Sequence, residues 1–273
     1  MFLLFDIGGT HMRFAVSKDG KELGELKIIP TPKDNFEEGM RIIQETAREL
    51  LGEEKIEAVV GGLAGTLNKE RAVFSRAPHM RGWIEKPLKK ELEMLFHVPV
   101  YLENDAALAG LGEAVRGAGQ SYGIVAYGTV STGVGGARVV DGRIDRNTGG
   151  FEPGHQIINY DGEARTLEEC VSGSALLRRF AKKPEDITDP ELWEEMARLL
   201  TQGIHNTILH WAPDVLVLGG PIILRSPFPF ENFKKQLSES VLQVLPIVPE
   251  IKKAELGDMS GLHGALIYAQ HLL

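Results

Sequence analysis

Cysteine is almost absent. The 273 residues include one, Cys170, so the chain can form no internal disulfide and no cysteine-rich zinc site. A reducing, cytoplasmic setting is expected. No apolar run approaches the ~18–20 residues that span a bilayer. Residues 1–5 are apolar, but they lack a basic start and a small-residue cleavage site, so no signal peptide is expected and a soluble protein is. Positive charge is not in surplus: 30 Lys and Arg stand against 38 Asp and Glu, a formal net charge of -8. Phosphate backbones demand clustered Lys and Arg, so nucleic acid is not expected as the partner, although a local basic pocket for a small anion stays open. Low-complexity tracts, heptad runs and a Gly-x-x-x-x-Gly-Lys-Ser/Thr phosphate loop are missing too. What remains is ordinary globular composition, 43% hydrophobic and 25% charged, enough for one large domain or two modest ones.

The opening apolar run, residues 2–5, stops at Asp6-Ile7-Gly8-Gly9-Thr10. A second strand is expected at 13–16, a hairpin turn at Asp19-Gly20, and a third strand at 23–29. Phe36, Met40, Ile43, Ala47 and Leu50 then form one apolar stripe at helical period. Short buried strands are expected at 56–60 and 98–102, the latter running into Glu103-Asn104-Asp105. Strand, helix and strand in this order suggest a parallel α/β portion. The second half repeats the plan. A strand at 122–130 meets Ser131-Thr132-Gly133-Val134-Gly135-Gly136, and a strand at 137–140 meets Asp141-Gly142 before a third begins at 143–144. The pattern implies an internal duplication. Helical stripes follow at Met196, Leu199, Leu200, Gly203, Ile204, Thr207, Ile208 and Trp211, and at Phe233, Leu237 and Val241. Between them lies a buried strand, 215–218, closed by Gly219-Gly220. A last helix covers 264–272, and 182–190 reads as a surface loop.

Several clusters carry chemistry. In Asp6-Ile7-Gly8-Gly9-Thr10 an acid ends a strand, and two glycines and a hydroxyl follow. Glycines let backbone N–H groups approach an anion, and Asp6 can hold Mg²⁺ through water. A plain glycine hairpin explains the same residues. Ser131-Thr132-Gly133-Val134-Gly135-Gly136 is a second candidate cradle at the equivalent place, and the pairing favours the phosphates of one nucleotide between two lobes. At Glu103-Asn104-Asp105-Ala106 an Asp at a strand tip can take a proton from a hydroxyl that the Asn orients. Either residue can instead cap the helix that follows. Glu152-Pro153-Gly154-His155 sets an acceptor and an imidazole around a turn, a pair suited to a polyol. Glu168 alone reads as an ordinary helix-start acid. His79, His97, His205 and His210 are taken as structural.

These pieces together resemble the ROK family of sugar kinases and repressors, in the actin-like ATPase clan. The resemblance rests on the three segments at 6–10, 103–106 and 131–136, on Glu152-x-Gly154-His155, on Leu167-Glu168 with Ser172-Gly173, and on Val217-Leu218-Gly219-Gly220. They come in the family's order over nearly the whole chain. The resemblance implies an α/β, duplicated ribonuclease-H-like fold of two lobes with a nucleotide and sugar cleft between them. The smaller lobe would cover 1–107, with a final helix, about 262–273, packing back on it. The larger would cover 108–261. Asp105 would be the catalytic base. Ala64, Gly65, Asn104, Asp105, Glu152, His155 and Glu168 would bind the sugar. Asp6, Gly8, Gly9, Thr10, Thr132 and Gly133 would surround Mg²⁺ and the phosphates, with Asp6 on the metal through water, and Gly219 and Gly220 would lie near adenosine. A homodimer is implied, since the family is commonly dimeric.

The sequence departs from the family in three places. Residues 159–166 hold no cysteine and Cys170 falls where an aromatic is common, so no zinc is expected, which leaves His155 for sugar. His11 stands where lysine often follows Gly-Gly-Thr. Pro78-His79-Met80 replaces the usual Pro-Asn-Leu, a change that bears on which sugar fits. The expected activity is ATP-dependent phosphorylation of a hexose hydroxyl, at C6 of glucose or a related sugar. N-acetylglucosamine or N-acetylmannosamine kinase activity and an inactive sugar-binding regulator are the alternatives. The family's repressors place a helix-turn-helix ahead of the kinase-like body, and no room for one is expected before residue 6. An actin-like ATPase or chaperone lobe would not need Glu152, His155 and Glu168 together. Glu168→Ala is expected to raise the sugar KM and leave that for ATP little changed.

Overall fold

An apolar strand with a single partly exposed acid begins the structure. In β1 (Phe2–Ile7) every residue but Asp6 is buried. It pairs antiparallel with β2 (His11–Ser17), which pairs antiparallel with β3 (Leu26–Pro30). The computed structural model describes residues 1–145 and 147–272. Asn35 caps α1 (Phe36–Leu51) by accepting the Glu38 N–H, and the stripe Phe36, Ile43 and Ala47 is buried beneath it. The chain then enters β4 (Ala58–Leu63), buried throughout and parallel to β1. Burial on both faces accounts for its unbroken apolar run. A small hairpin follows, β5 (Thr66–Leu67) and β6 (Phe74–Arg76), then α2 (Leu88–Phe96) and β7 (Val100–Asn104), which lies parallel to β4. The sheet order is β3-β2-β1-β4-β7. From β7 the chain turns directly into α3 (Asp105–Arg116).

A second sheet repeats this plan. β8 (Ile124–Val130), β9 (Val134–Val140) and β10 (Arg143–Ile144) form an antiparallel meander. Asp141 and Gly142 join the last two at φ 49° and 69°, the left-handed pair that a tight two-residue hairpin demands. A second hairpin, β11 (Ile157–Tyr160) and β12 (Glu163–Thr166), leads into α4 (Leu167–Val171) and α5 (Gly173–Phe180). The long α6 (Pro190–Trp211) buries the predicted stripe from Met196 to Ile208. β13 (Val215–Gly219) pairs parallel with β8 and, after α7 (Pro221–Arg225) and α8 (Phe230–Leu242), with β14 (Glu250–Lys253). The order β10-β9-β8-β13-β14 has the same two antiparallel and two parallel joins as the first sheet.

The chain divides into two compact units. The first holds residues 1–112, 147–150 and 259–272, and the second holds 113–145 and 151–258. The closing helix, α9 (Ser260–Leu272), packs on β1 and β4 within the first unit. Residue 273 of the expected final helix, and residue 146, lie outside the described residues. Two expected strand limits shift at glycines. β4 runs through Gly61 and Gly62, and β9 begins at Val134 and includes Gly135 and Gly136. In each case a ring claims the space of a side chain. A Cβ on Gly61 would lie 1.9 Å from the Phe5 ring, and one on Gly136 would lie 2.7 Å from that of Pro153. The second Gly-rich connection is therefore only Ser131-Thr132-Gly133.

Candidate functional site

In the first unit three parallel strands end in line. The register sets Asp6 beside Gly62, Ile7 beside Leu63, and Leu63 beside Asn104. Asp6, Ala64-Gly65 and Asn104-Asp105 thus share the carboxyl edge of the sheet, where open α/β sheets bind ligands. The turn Gly8-Gly9-Thr10 is braced from β2 and from beyond β3. The Gly8 N–H donates to the His11 carbonyl at 2.9 Å, the Thr31 hydroxyl donates to the Gly8 carbonyl at 2.6 Å, and the Thr31 N–H donates to the Thr10 carbonyl at 3.0 Å. A Cβ on Gly9 would come within 2.6 Å of the His79 Cβ. The chain's unusual His79 therefore abuts the turn.

Asp6 pairs across the strands with Arg13, whose guanidinium approaches its carboxylate at 3.6 Å. The Arg13 Nε is buried and has no hydrogen-bond partner. Two glycines make room for the Asp6 carboxylate. A Cβ on Gly62 would lie 3.5 Å from Asp6 Oδ1 and 3.3 Å from the Asp105 Cα, and one on Gly261 would lie 3.1 Å from the carboxylate. At the tip of β7, Asn104 is the helix cap: its Oδ1 accepts the Ala107 N–H at 3.0 Å. Its Nδ2 donates to the Gly65 carbonyl at 3.3 Å. Asp105 stands in the first turn of α3, and its Oδ1 accepts the Ala106 N–H at 2.8 Å.

In the second unit the connection between β8 and β9 is held by backbone and by one acid. The Ser131 N–H donates to the Gly133 carbonyl, and the carbonyls of Ser131 and Thr132 accept from Gly173 and Ser174 at 2.7 and 3.1 Å. Glu168 Oε2 accepts the Val134 N–H at 2.8 Å. The helix that carries Glu168 starts with a capping box, in which Thr166 and Glu169 bond reciprocally. Those bonds hold the Glu169 carboxyl below its usual value. The turn at Pro153–His155 sits on β9, because a Cβ on Gly154 would meet the Val134 carbonyl at 2.2 Å. Glu152 and His155 flank it, half exposed, with His155 Nδ1 3.5 Å from the Glu152 carboxylate. Gly219 ends β13 opposite Thr129. Gly220 follows at φ 89°, where a Cβ would lie 2.3 Å from the Val130 carbonyl.

Each unit thus collects its own share of the expected residues. Asp6, Gly8, Gly9, Thr10, Ala64, Gly65, Asn104 and Asp105 gather in the first. Thr132, Gly133, Glu152, His155, Glu168, Gly219 and Gly220 gather around β8, β9 and β13 in the second. Sequence alone missed Arg13, which meets Asp6 only through the β1–β2 register, and Gly62, Gly261 and Thr31, whose partners are distant in the chain. Cys170 is buried, and burial pushes its thiol pKa up. Among the described residues no group of three or more His, Cys, Asp or Glu side chains is placed to hold a metal ion. Mg²⁺ does not need one, since it keeps several waters and takes one or two carboxylates beside substrate phosphates. Asp6, with the space left by Gly62 and Gly261, fits that requirement.

The similarity to known proteins extends over nearly the whole chain. The model of the ROK family matches residues 3–271. The N-acetyl-D-glucosamine kinase of Histophilus somni is 27% identical, over 97% of each chain. Among solved structures, the ROK hexokinase from Thermus thermophilus has a TM-score of 0.82 and 31% identity over 99% of each chain. The ROK family glucokinase from Streptomyces griseus, in complex with glucose and AMPPNP, also has a TM-score of 0.82, with 25% identity over 99% of each chain.

Proposed function

The chain belongs to the ROK family, and from that premise we propose that it transfers the γ-phosphoryl group of ATP to a hexose hydroxyl, the C6 hydroxyl of glucose or a related hexose. It is a sugar kinase with the duplicated fold of the actin-like ATPases. One observation carries the choice of base: Asp105 stands at the tip of β7, in the first turn of a helix capped by Asn104, on the edge that also presents Asp6 and the Gly8-Gly9-Thr10 turn.

Phosphoryl transfer asks a protein mainly to position its substrates and to stabilise charge. Asp105 accepts the proton of the attacking hydroxyl, and Asn104 orients that hydroxyl with its amide. Ala64 and Gly65 border the sugar from the tip of β4. Glu152, His155 and Glu168 take other hydroxyls, where their directional bonds discriminate among sugars. The backbone of Gly9 and Thr10, and of Thr132 and Gly133, donates N–H groups to phosphate oxygens, while Gly8, whose own N–H is taken by the His11 carbonyl, shapes the turn around them. Gly219 and Gly220 lie near the adenosine. Asp6 would hold Mg²⁺ through water, and the ion would supply neutralisation of phosphate charge. No zinc enters this scheme, and the enzyme works as a cytoplasmic homodimer. The kinship with N-acetylglucosamine kinases supports a second reading, in which the acceptor is N-acetylglucosamine or N-acetylmannosamine.

A coupled ADP-release assay over a panel of hexoses and N-acetylhexosamines tests the proposal. ADP release that depends on one of these sugars is expected. The same rate with and without every sugar would overturn it in favour of a plain ATPase, and sugar binding without turnover would indicate a regulator.

A further inference from the structure

Residues 64–76 leave the tip of β4 and double back as the β5–β6 hairpin, which pairs Thr66 with Arg76 and Leu67 with Phe74. Asn68 shapes its far end. Its Oδ1 accepts the N–H groups of Ala72 and Val73 at 2.7 and 3.2 Å, and its own N–H donates to the Val73 carbonyl at 3.0 Å. The Arg71 N–H closes on the Asn68 carbonyl at 2.8 Å. This winding puts Arg71 at φ 51°, a left-handed conformation uncommon for a residue with a side chain. From there its guanidinium forms an ion pair with Glu103, next to last in β7.

Glu103 is only 5% exposed, and a carboxylate that deep requires a countercharge. Its Oε1 also accepts the N–H of Asn104 at 2.9 Å. Near the other end of the segment, the Gly65 carbonyl accepts from Asn104 Nδ2. The segment is therefore fastened twice to the tip of β7, once at Gly65 and once at Arg71. Both fastenings converge on the peptide and side chain of Asn104, immediately before the base.

We propose that Arg71 is a positioning residue for phosphoryl transfer: through Glu103 it fixes the Asn104 peptide and hence the first turn of α3, where Asp105 meets the acceptor hydroxyl. This role rests on the kinase function proposed above. Without the guanidinium, the Glu103 carboxylate turns toward water and releases the Asn104 N–H. The cap of α3 loosens, and Asp105 loses its fixed position.

Wild type, Arg71→Lys, Arg71→Ala and the double variant Arg71→Met/Glu103→Leu, which removes the ion pair and the acceptor of the Asn104 N–H together, are compared by sugar-dependent ADP release, sugar-induced shift in melting temperature and urea unfolding. Arg71→Ala should lower kcat roughly ten- to hundredfold, the usual penalty of a misplaced reacting group. It should raise the sugar KM and leave the KM for ATP within about twofold, because the Gly8-Gly9-Thr10 turn is untouched. Arg71→Lys should recover most of kcat, since an ammonium still meets Glu103. The double variant, which leaves no buried charge unpaired, should regain stability but not kcat. If Arg71→Ala does not fold, the lysine and double variants carry the comparison. Recovery of both kcat and stability in the double variant would overturn the proposal, as would an unimpaired kcat in folded Arg71→Ala. A wild type with neither sugar-dependent ADP release nor a sugar-induced melting shift would sink the kinase function and this role together. An active wild type beside an equally active Arg71→Ala would sink this role alone.

Discussion

Glu168 Oε2 accepts the backbone N–H of Val134 at 2.8 Å, and a Cβ on neighbouring Gly133 would lie only 2.5 Å from that same oxygen. The acid expected on the sugar is thus also a brace of the β8–β9 connection. Glu168→Ala should therefore raise the KM for ATP as well as that for sugar, which differs from a pure sugar contact. Glu168→Gln keeps an oxygen that can accept the Val134 N–H. It should spare the ATP term and weaken sugar binding by about 1–3 kcal/mol, the cost of an unmatched buried polar group. Steady-state kinetics with each substrate varied in turn measure both terms. Equal ATP KM values in the two variants would contradict the brace.

Asp105→Asn preserves the shape of the side chain and an oxygen for the Ala106 N–H, and removes the base. Turnover should fall roughly 10²–10⁴-fold, the usual weight of general-base catalysis. Sugar affinity, followed by the melting shift, should stay near that of wild type. Near-normal turnover would dismiss Asp105 as the base.

Gly9 and His79 touch without room for another carbon. Gly9→Ala should cost about 1–3 kcal/mol of stability, as overpacking does, and raise the KM for ATP. His79→Gly removes the opposing Cβ, so adding it should return most of both losses. A double-mutant cycle by urea unfolding and ATP titration measures the coupling. Strict additivity would place the strain elsewhere.

The capping box before α4 makes a pH-dependent contribution. Thr166→Ala should cost about 1 kcal/mol near neutral pH. Hydrogen bonds from Thr166 hold the folded-state pKa of Glu169 below its unfolded value. Their stabilisation is therefore fully present above the unfolded value and lost as pH falls through the folded one. The stability gap between Thr166→Ala and wild type should narrow on acidification. Urea midpoints across the acidic range test this, and a gap that does not change with pH would refute it.

Much of this architecture was legible in the sequence, because apolar periodicity and turn chemistry act locally. The stripe through Phe36, Ile43 and Ala47 marks α1, and Asp141-Gly142 marks its hairpin, each through forces within a few residues. The β11–β12 hairpin was missed even though Asp161-Gly162 joins it at φ 49° and 83°, the same turn signal. Its strands are short and largely exposed, so no apolar alternation announces them. Gly61, Gly62 and Gly136 fall outside the strands expected at 56–60 and 137–140 yet belong to β4 and β9, and Phe5, Asp105 and Pro153, which approach them there, come from elsewhere in the chain. The choice between Asn104 and Asp105 as cap turned on geometry that composition does not encode. Arg71 gave no signal at all, since Glu103 lies 32 positions away.

The alignment of β1, β4 and β7 carries a consequence for the history of such a chain. Side chains alternate along a strand, so one residue inserted ahead of Val60 in β4 would swap the roles of its two faces and set Val60 in the place of Gly61, against the Phe5 ring. The tip of the β11–β12 hairpin, at Asp161-Gly162, faces no such restriction. Length variation among descendants of this sequence should accumulate at such outlying bends, while the span from Ala58 to Leu63 keeps its count of residues even as its identities drift.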